Sequence, residues 1–473
     1  MTPLRSLHLL LLAVLAGSLL AAPAARAAGP EVGIADDRVL LAGGAGADQA
    51  VADWAALGVD VVRVHAMWNR IAPGVNDTSA PAGFDPTDPD SPGYNWGFLD
   101  EAIARVRAAG MRVMLTVTGP GPLWTSSNPS LHNPRYRPSP ARFADFATAV
   151  AKRYGASVDR YIIWNEPNLP LWIQPQSTCS RSGCTPASPA IYRDLVRAAY
   201  PAIKAADPGA QVLIGALGPR GQTSQGTNAN ISPLTFLRWM GCRSTSYRAI
   251  RTGPCAGFHS AVGDGFAYHP HGVTNAPGTP FPNGNDVDLA SLPRMEAVLD
   301  KLQSSSSLRA TTRRFDLYLD EYGYQTNPPD RFLGVSAAAQ DLWLQEAAYR
   351  AWHDPRVRNL TQYGWVDEPL GAGGAGWQSG LKYADGRAKA ALAHFDTPFY
   401  LDAAHSRLWG QVRPGSGAQH VDIQRKLRGS STYRTIATAT TDGQGYWSTT
   451  LRLIRGASYR FVAAGQTSGS RTR

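Results

Sequence analysis

Cysteine is scarce in this chain, charge is thin, and long apolar runs are confined to one place. Only 17% of the 473 residues are charged and only four are cysteine. The one extended apolar run, Leu7 to Ala22, lies at the start. It follows Arg5 and leads through Pro23 to Ala25-Arg26-Ala27, the basic, apolar and small-residue order of a secretory leader. Residues 1–27 are therefore expected to be a signal peptide, cut after Ala27, and the mature protein to be secreted. Pro23 and the alanine-rich exit weigh against a retained anchor. No later stretch approaches the roughly 20 apolar residues of a membrane span. No Cys-x-x-Cys pair is present, which argues against a zinc knuckle or ribbon. The cysteines sit as two near pairs, Cys179 with Cys184 and Cys242 with Cys255. An even count in an exported chain favours disulfides, and of the three possible pairings the local one closes two short loops. Glycine is plentiful, yet Gly43-Gly44-Ala45-Gly46 does not have the spacing of a dinucleotide-binding loop. Nucleic-acid motifs are missing too, so no nucleic-acid partner is expected.

What remains after the leader exceeds what one hydrophobic core usually organises, so a large domain with a smaller appendage is expected. Charge divides the same way. The net charge is +10, and removing Arg5 and Arg26 leaves +8. Tyr400 to Arg473 holds eleven Lys/Arg against Asp402, Asp422 and Asp442, a net of +8, so the segment from Ala28 to Phe399 is neutral. The basic segment suits docking on an anionic cell-wall polymer, and equally a merely soluble arginine-rich surface.

Between Val32 and Phe399, short β-branched runs alternate with amphipathic stretches, the pattern of parallel strands joined by crossover helices. Eight strands are predicted: Val32 to Ala35, Val59 to His65, Arg112 to Thr116, Tyr161 to Trp164, Gln211 to Ala216, Gly265 to His269, Leu317 to Glu321 and Thr361 to Val366. Helices are expected at Trp96 to Ala109, Pro140 to Tyr154, Pro189 to Ala206, Leu292 to Gln303 and Ser336 to Trp352, where apolar residues recur at helical spacing. The expected fold class is α/β, a (β/α)8 TIM barrel over residues 28–399. Long polar connections such as Ala72 to Asn95 and Gln174 to Ser188 would wall its mouth. Residues 400–473 read as a C-terminal β-sandwich accessory domain, with strands His420 to Arg425, Tyr433 to Thr440, Tyr446 to Arg452 and Tyr459 to Ala463. Its polar end, Gly465 to Arg473, is expected to fray, and an exposed Trp409 or Trp447 would let it bind carbohydrate.

The sharpest motif is Trp164-Asn165-Glu166-Pro167-Asn168, at the end of the fourth predicted strand. It resembles the acid/base motif of clan A glycoside hydrolases. The extension Asn168-Leu169 is most similar to family 39, and the shorter run also fits family 5 and its relatives. The seventh predicted strand ends in Leu319-Asp320-Glu321-Tyr322-Gly323, similar to the segment that carries the nucleophile in this clan. The resemblance implies a retaining barrel hydrolase with Glu166 as general acid/base and Glu321 as nucleophile. The chemistry needs such a pair, because glycoside cleavage requires a proton for the leaving oxygen and a negative charge at the developing oxocarbenium carbon. Two carboxylates divide that labour only in different environments.

By the same resemblance, Asn165 holds the sugar 2-hydroxyl and Arg63 keeps the nucleophile ionised, its planar fork matching a carboxylate where lysine would not. A barrel-bottom ion pair is the bland alternative for Arg63. His65, in the same run, is expected among the substrate contacts. Tyr268-His269-Pro270-His271 resembles a clan segment of the form His-Pro-Tyr, with His271 where a tyrosine often meets the nucleophile. His269 and His271 also have a spacing that metals use, but no further ligand set is apparent, so neither metal nor cofactor is expected. Trp365 stands at the place of the clan tryptophan beneath the first sugar, since aromatic faces pack against sugar C–H groups. Trp68, Trp124, Trp172 and Trp377 are further candidates. The sequence thus predicts a secreted, monomeric glycosidase acting on a carbohydrate. A barrel that only binds carbohydrate is the alternative.

Overall fold

The computed structural model describes residues 29–371 and 376–473, so the expected leader lies outside the described residues. Eight strands close a parallel barrel: β1 (Glu31–Ala35), β2 (Val61–Met67), β3 (Arg112–Thr118), β4 (Arg160–Ile163), β5 (Gln211–Leu217), β6 (Gly265–Tyr268), β7 (Leu317–Tyr322) and β8 (Val357–Tyr363). They neighbour one another in sequence order, and β1 pairs with both β2 and β8. Most of their residues are buried, because a barrel strand is covered on both faces and reads as an apolar run rather than an alternation. Inside, Val61, Met114, Ile162, Leu213, Ala267 and Tyr318 fill the barrel. Outside, the strands pack on helices that include α1 (Gly44–Ala56), α2 (Gly97–Ala108), α3 (Pro140–Tyr154), α4 (Ser188–Ala206), α5 (Pro233–Met240), α6 (Leu292–Ser304) and α7 (Ala337–His353). All eight strands and all five expected helices are present, with ends moved by a few residues.

Helix α1, like α5, is not among the helices named from the sequence. Ala47, Ala50, Val51 and Trp54 of α1 bury one stripe at spacings of three and four. At the opposite, N-terminal end of the barrel, Glu31 pairs with Arg112 and Arg160. The barrel-bottom ion pair weighed for Arg63 is made by those arginines instead.

The C-terminal segment forms two antiparallel sheets. One is β9 (Phe399–Asp402), β10 (Arg407–Gln411) and β13 (Tyr446–Thr450). The other is β11 (His420–Lys426), β12 (Arg434–Thr440) and β14 (Ser458–Ala463). Phe399, Leu408, Trp447, Val421, Ile423 and Phe461 fill the space between them as a sandwich core. Two expectations fail here. Trp409 is fully buried against Trp352 and Tyr446, and Trp447 is 3% exposed between Phe399 and Phe461, so neither presents a face to solvent. Residues 465–473 do not fray: Gln466–Thr467 and Arg471–Thr472 both pair with β14. The sandwich also grips the barrel. The Tyr446 hydroxyl donates to the Pro30 carbonyl at 2.7 Å, and that of Tyr349 on α7 donates to Asp402 at 2.7 Å.

Candidate active site

The polar residues of the barrel interior gather at the C-terminal ends of the strands, the end where barrel enzymes carry their sites. Arg63, on β2, is their hub. It is 1% exposed, and each guanidinium nitrogen has a partner. Nε donates to Thr116 at 2.9 Å, one terminal nitrogen to Glu321 at 2.6 Å, and the other to Asn165 Oδ1 at 2.6 Å, with Asp320 at 3.4 Å. Lysine has no such fork.

Glu321 reaches Arg63 through an irregularity of β7. Adjacent residues on a strand point to opposite faces, yet both Asp320 and Glu321 meet the same guanidinium. Between Leu319 and Tyr322 the ladder to β8 shifts by one residue, a bulge that re-aims a side chain. Glu321 Oε2 then lies 3.5 Å from His269 Nδ1 and 3.7 Å from His271 Nε2. Burial pushes its carboxyl upward, but His269, Arg63 and His271 outweigh that and hold it far below the usual carboxylate range.

Glu166 follows β4 on a backbone with left-handed conformations at Trp164 (φ 68°) and at Glu166 itself (φ 38°). Such positions persist where surrounding structure over-determines them. Here the fully buried Asn168 side chain does so, bonding to Gly218 N–H at 2.8 Å and to the carbonyls of Gly218 and Ile231 at 3.0 and 2.9 Å. A Cβ at position 218 would stand 3.0 Å from Glu166 Oε1, so glycine there leaves room for the carboxylate. His269 Nδ1 is 3.2 Å from that oxygen, and Trp172 Nε1 donates to Oε2 at 3.3 Å. One oxygen of Glu166, one of Glu321 and a ring nitrogen of His269 lie within 4.8 Å of one another. That set is also spaced for a cation. Burial lowers the His269 pKa, but Glu321, Asp320 and the hydrogen bonds to Asp320 and Glu166 raise it to about 10, which favours the imidazolium.

His65 is buried with Nδ1 2.6 Å from Asp37 Oδ2, its ring stacked on Trp172, and its Nε2 without a partner among the described residues. Asp37, Arg63, His65, Tyr363, Glu368 and Trp377 line a cleft of about 330 Å³ beside Glu321. Trp377 is 44% exposed and lies 5.6 Å from the His271 ring.

Glu166, Glu321, Asn165, Arg63, His65, His269 and His271 are thus brought together. Trp68 and Trp365 are not. Trp68 is 1% exposed and stacks on Phe146 of α3, and Trp124 is buried beside it. Trp365 is 3% exposed, edge-on to Trp54 of α1, with Lys382 over its ring. Both turn outward to the helices, and Trp172 and Trp377 are the tryptophans at the mouth. Asp37 and Asp320 were missed, although each lies at or just beyond a strand's C-terminal end. Disulfides join Cys179 to Cys184 and Cys242 to Cys255, the local pairing.

The family model described as Cellulase (glycosyl hydrolase family 5) matches residues 32–240. Similar solved structures include a family 39 glycoside hydrolase from Bacteroides cellulosilyticus WH2, 14% identical, with 89% of this chain and 79% of that one covered and a TM-score of 0.48. Others are a family 39 β-xylosidase from Caulobacter crescentus (15% identical, 85% and 84% covered, TM-score 0.48) and a glucosidase from Croceicoccus marinus (14%, 87% and 91%, 0.49). No curated protein matches the sequence. The family match and the closed eight-stranded parallel barrel agree with the resemblance to clan A glycoside hydrolases.

Proposed function

We propose that the chain is a glycosidase that works by double displacement with retention, Glu166 serving as general acid/base and Glu321 as nucleophile. The observation that carries the reading is the approach of the two carboxylates, with oxygens within 4.8 Å of each other. Retaining enzymes hold their pair about 5 Å apart, whereas inverting ones leave room for a water. The environments divide the labour. Glu321 sits among Arg63, His269 and His271 and stays ionised, ready to attack the anomeric carbon. Glu166, with Trp172 and His269 as partners, gives its proton to the leaving oxygen and later takes one from the incoming water. Asn165, fixed by Arg63, is available to the sugar 2-hydroxyl, and His65 Nε2 and the Trp377 face supply further contacts.

Residues 1–27 fit a leader, and the two disulfides fit an oxidising destination. We read residues 28–399 as the catalytic domain and 400–473 as an accessory domain that stiffens it. The net +8 of the latter suits an anionic polymer, which salt-sensitive retention on cell walls would reveal.

The test is a hydrolysis screen on aryl glycosides and polysaccharides with wild type, Glu166→Ala and Glu321→Ala. Loss of either carboxylate should cost about 10²-fold or more, and azide should rescue Glu321→Ala as a glycosyl azide of inverted configuration. Equal sugar release by all three proteins contradicts the assignments. A wild type inert on every glycan favours a barrel that only binds.

A further inference from the structure

Asp320 is a third carboxylate that the double displacement does not use. It is fully buried, and its Oδ1 has no hydrogen-bond partner among the described residues. Its Oδ2 faces Arg63 at 3.4 Å and His269 Nε2 at 3.2 Å. An uncompensated carboxylate at such depth is costly, so its cationic neighbours matter. His269 is itself fully buried and has a carboxylate at each ring nitrogen: Asp320 at Nε2, and at Nδ1 both Glu166 (3.2 Å) and Glu321 (3.5 Å). The other charged or titratable groups around it are Arg63 on β2, His271 on its own segment, whose ring centre is 6.3 Å away, and Tyr192 on α4, close enough to Asp320 to feel its charge.

We propose that Asp320 is a positioning residue for the glycosidase reaction. By accepting Nε2–H it keeps His269 a doubly protonated imidazolium, whose Nδ1–H faces both Glu166 at 3.2 Å and Glu321 at 3.5 Å. The charges balance at each stage. Before reaction Arg63 and His269 offset Asp320 and Glu321, with Glu166 protonated. When Glu321 becomes a glycosyl ester, Glu166 has given its proton to the leaving group and carries the negative charge instead. The His269 proton stays on its nitrogen, within reach of whichever carboxylate carries the charge. A neutral His269 would leave one buried negative charge unmatched in both states. The electrostatics agree: burial disfavours the imidazolium, but Glu321 and Asp320 raise its pKa to about 10.

The inference rests on the proposed roles of Glu166 and Glu321, and its test has a readout that does not need turnover. In full-length protein labelled with 15N-histidine, the His269 resonance is assigned with His269→Gln, and its protonation is followed by NMR from pH 6 to 10. Wild type should carry protons on both ring nitrogens at pH 8. In Asp320→Asn the amide oxygen still accepts Nε2–H but the charge is gone. That variant should lose one ring proton between pH 6 and 9, with the alkaline limb of kcat moving to lower pH in step. A singly protonated His269 in wild type at pH 8, or an Asp320→Asn protein with unchanged ring titration and pH profile, overturns the proposal. Should Asp320→Asn not fold, the wild-type ring titration decides alone. A wild type that hydrolyses no glycoside sinks the proposed function, while the titration still answers for Asp320.

Discussion

Arg63 shows how much a single side chain organises. Its fork ties β2 to Thr116 on β3, to Asn165 after β4 and to Glu321 on β7, so the nucleophile candidate and the sugar-hydroxyl candidate share one rigid cation. Arg63→Lys keeps the charge but loses this geometry. Hydrogen bonds to charged groups are worth about 1.5–3 kcal/mol each, so kcat/KM should fall roughly 10²-fold while the variant remains folded by circular dichroism. A loss under threefold would mean that charge alone suffices. Glu166 and Glu321 were legible in the sequence because each closes a β-branched run inside a specific motif. Asp320 was not, since strand alternation assigns it to the face opposite Glu321, and only the irregular ladder between Leu319 and Tyr322 brings both to Arg63. Trp68 and Trp365 misled for a related reason. Each follows a strand that lines the site, but the chain has turned by then and both rings pack outward.

The loop after β4 shows what an element must do to present a carboxylate. Trp164 and Glu166 hold left-handed backbone conformations, and the buried Asn168 amide fastens the turn to the β5 end through Gly218. Asn168→Ala removes three hydrogen bonds and leaves buried backbone groups unpaired, at a cost of about 1–3 kcal/mol. Denaturant unfolding should show that loss of stability, and kcat should fall because Glu166 loses its support. Unchanged stability would assign the strain elsewhere. Strand and helix identities were legible from periodicity throughout the barrel. What escaped were α1, which opens on Gly43 and Gly44 with φ values of 68° and 65° that mark a turn into the helix, the short α5, and β9 and β10, short strands whose pairing is set only by the completed sandwich.

Across the whole molecule, the C-terminal sandwich is bound to the barrel rather than tethered to it. Tyr349 and Trp352 of α7 pack with Trp409 and Tyr446, and the Tyr446 hydroxyl reaches Pro30 just before β1, at the N-terminal end of the barrel. Removing residues 399–473 would bare this aromatic cluster. Fully burying one such side chain contributes about 1.5–3 kcal/mol, so the truncated protein should lose several degrees of Tm or aggregate. A soluble barrel of unchanged Tm would instead make the sandwich an independent module. The division into a neutral and a basic part was visible in the charge distribution, but the contacts between them were not, because the expectation of an exposed Trp409 rested on composition without a partner surface.

The central claim is that Glu166 and Glu321 act from opposite sides of one glycosidic bond through a covalent intermediate. The most direct measurement is 1H NMR of the first-formed product anomer on a substrate taken from the hydrolysis screen. The account predicts product with the anomeric configuration of the substrate, appearing before mutarotation. First-formed product of inverted configuration would contradict it.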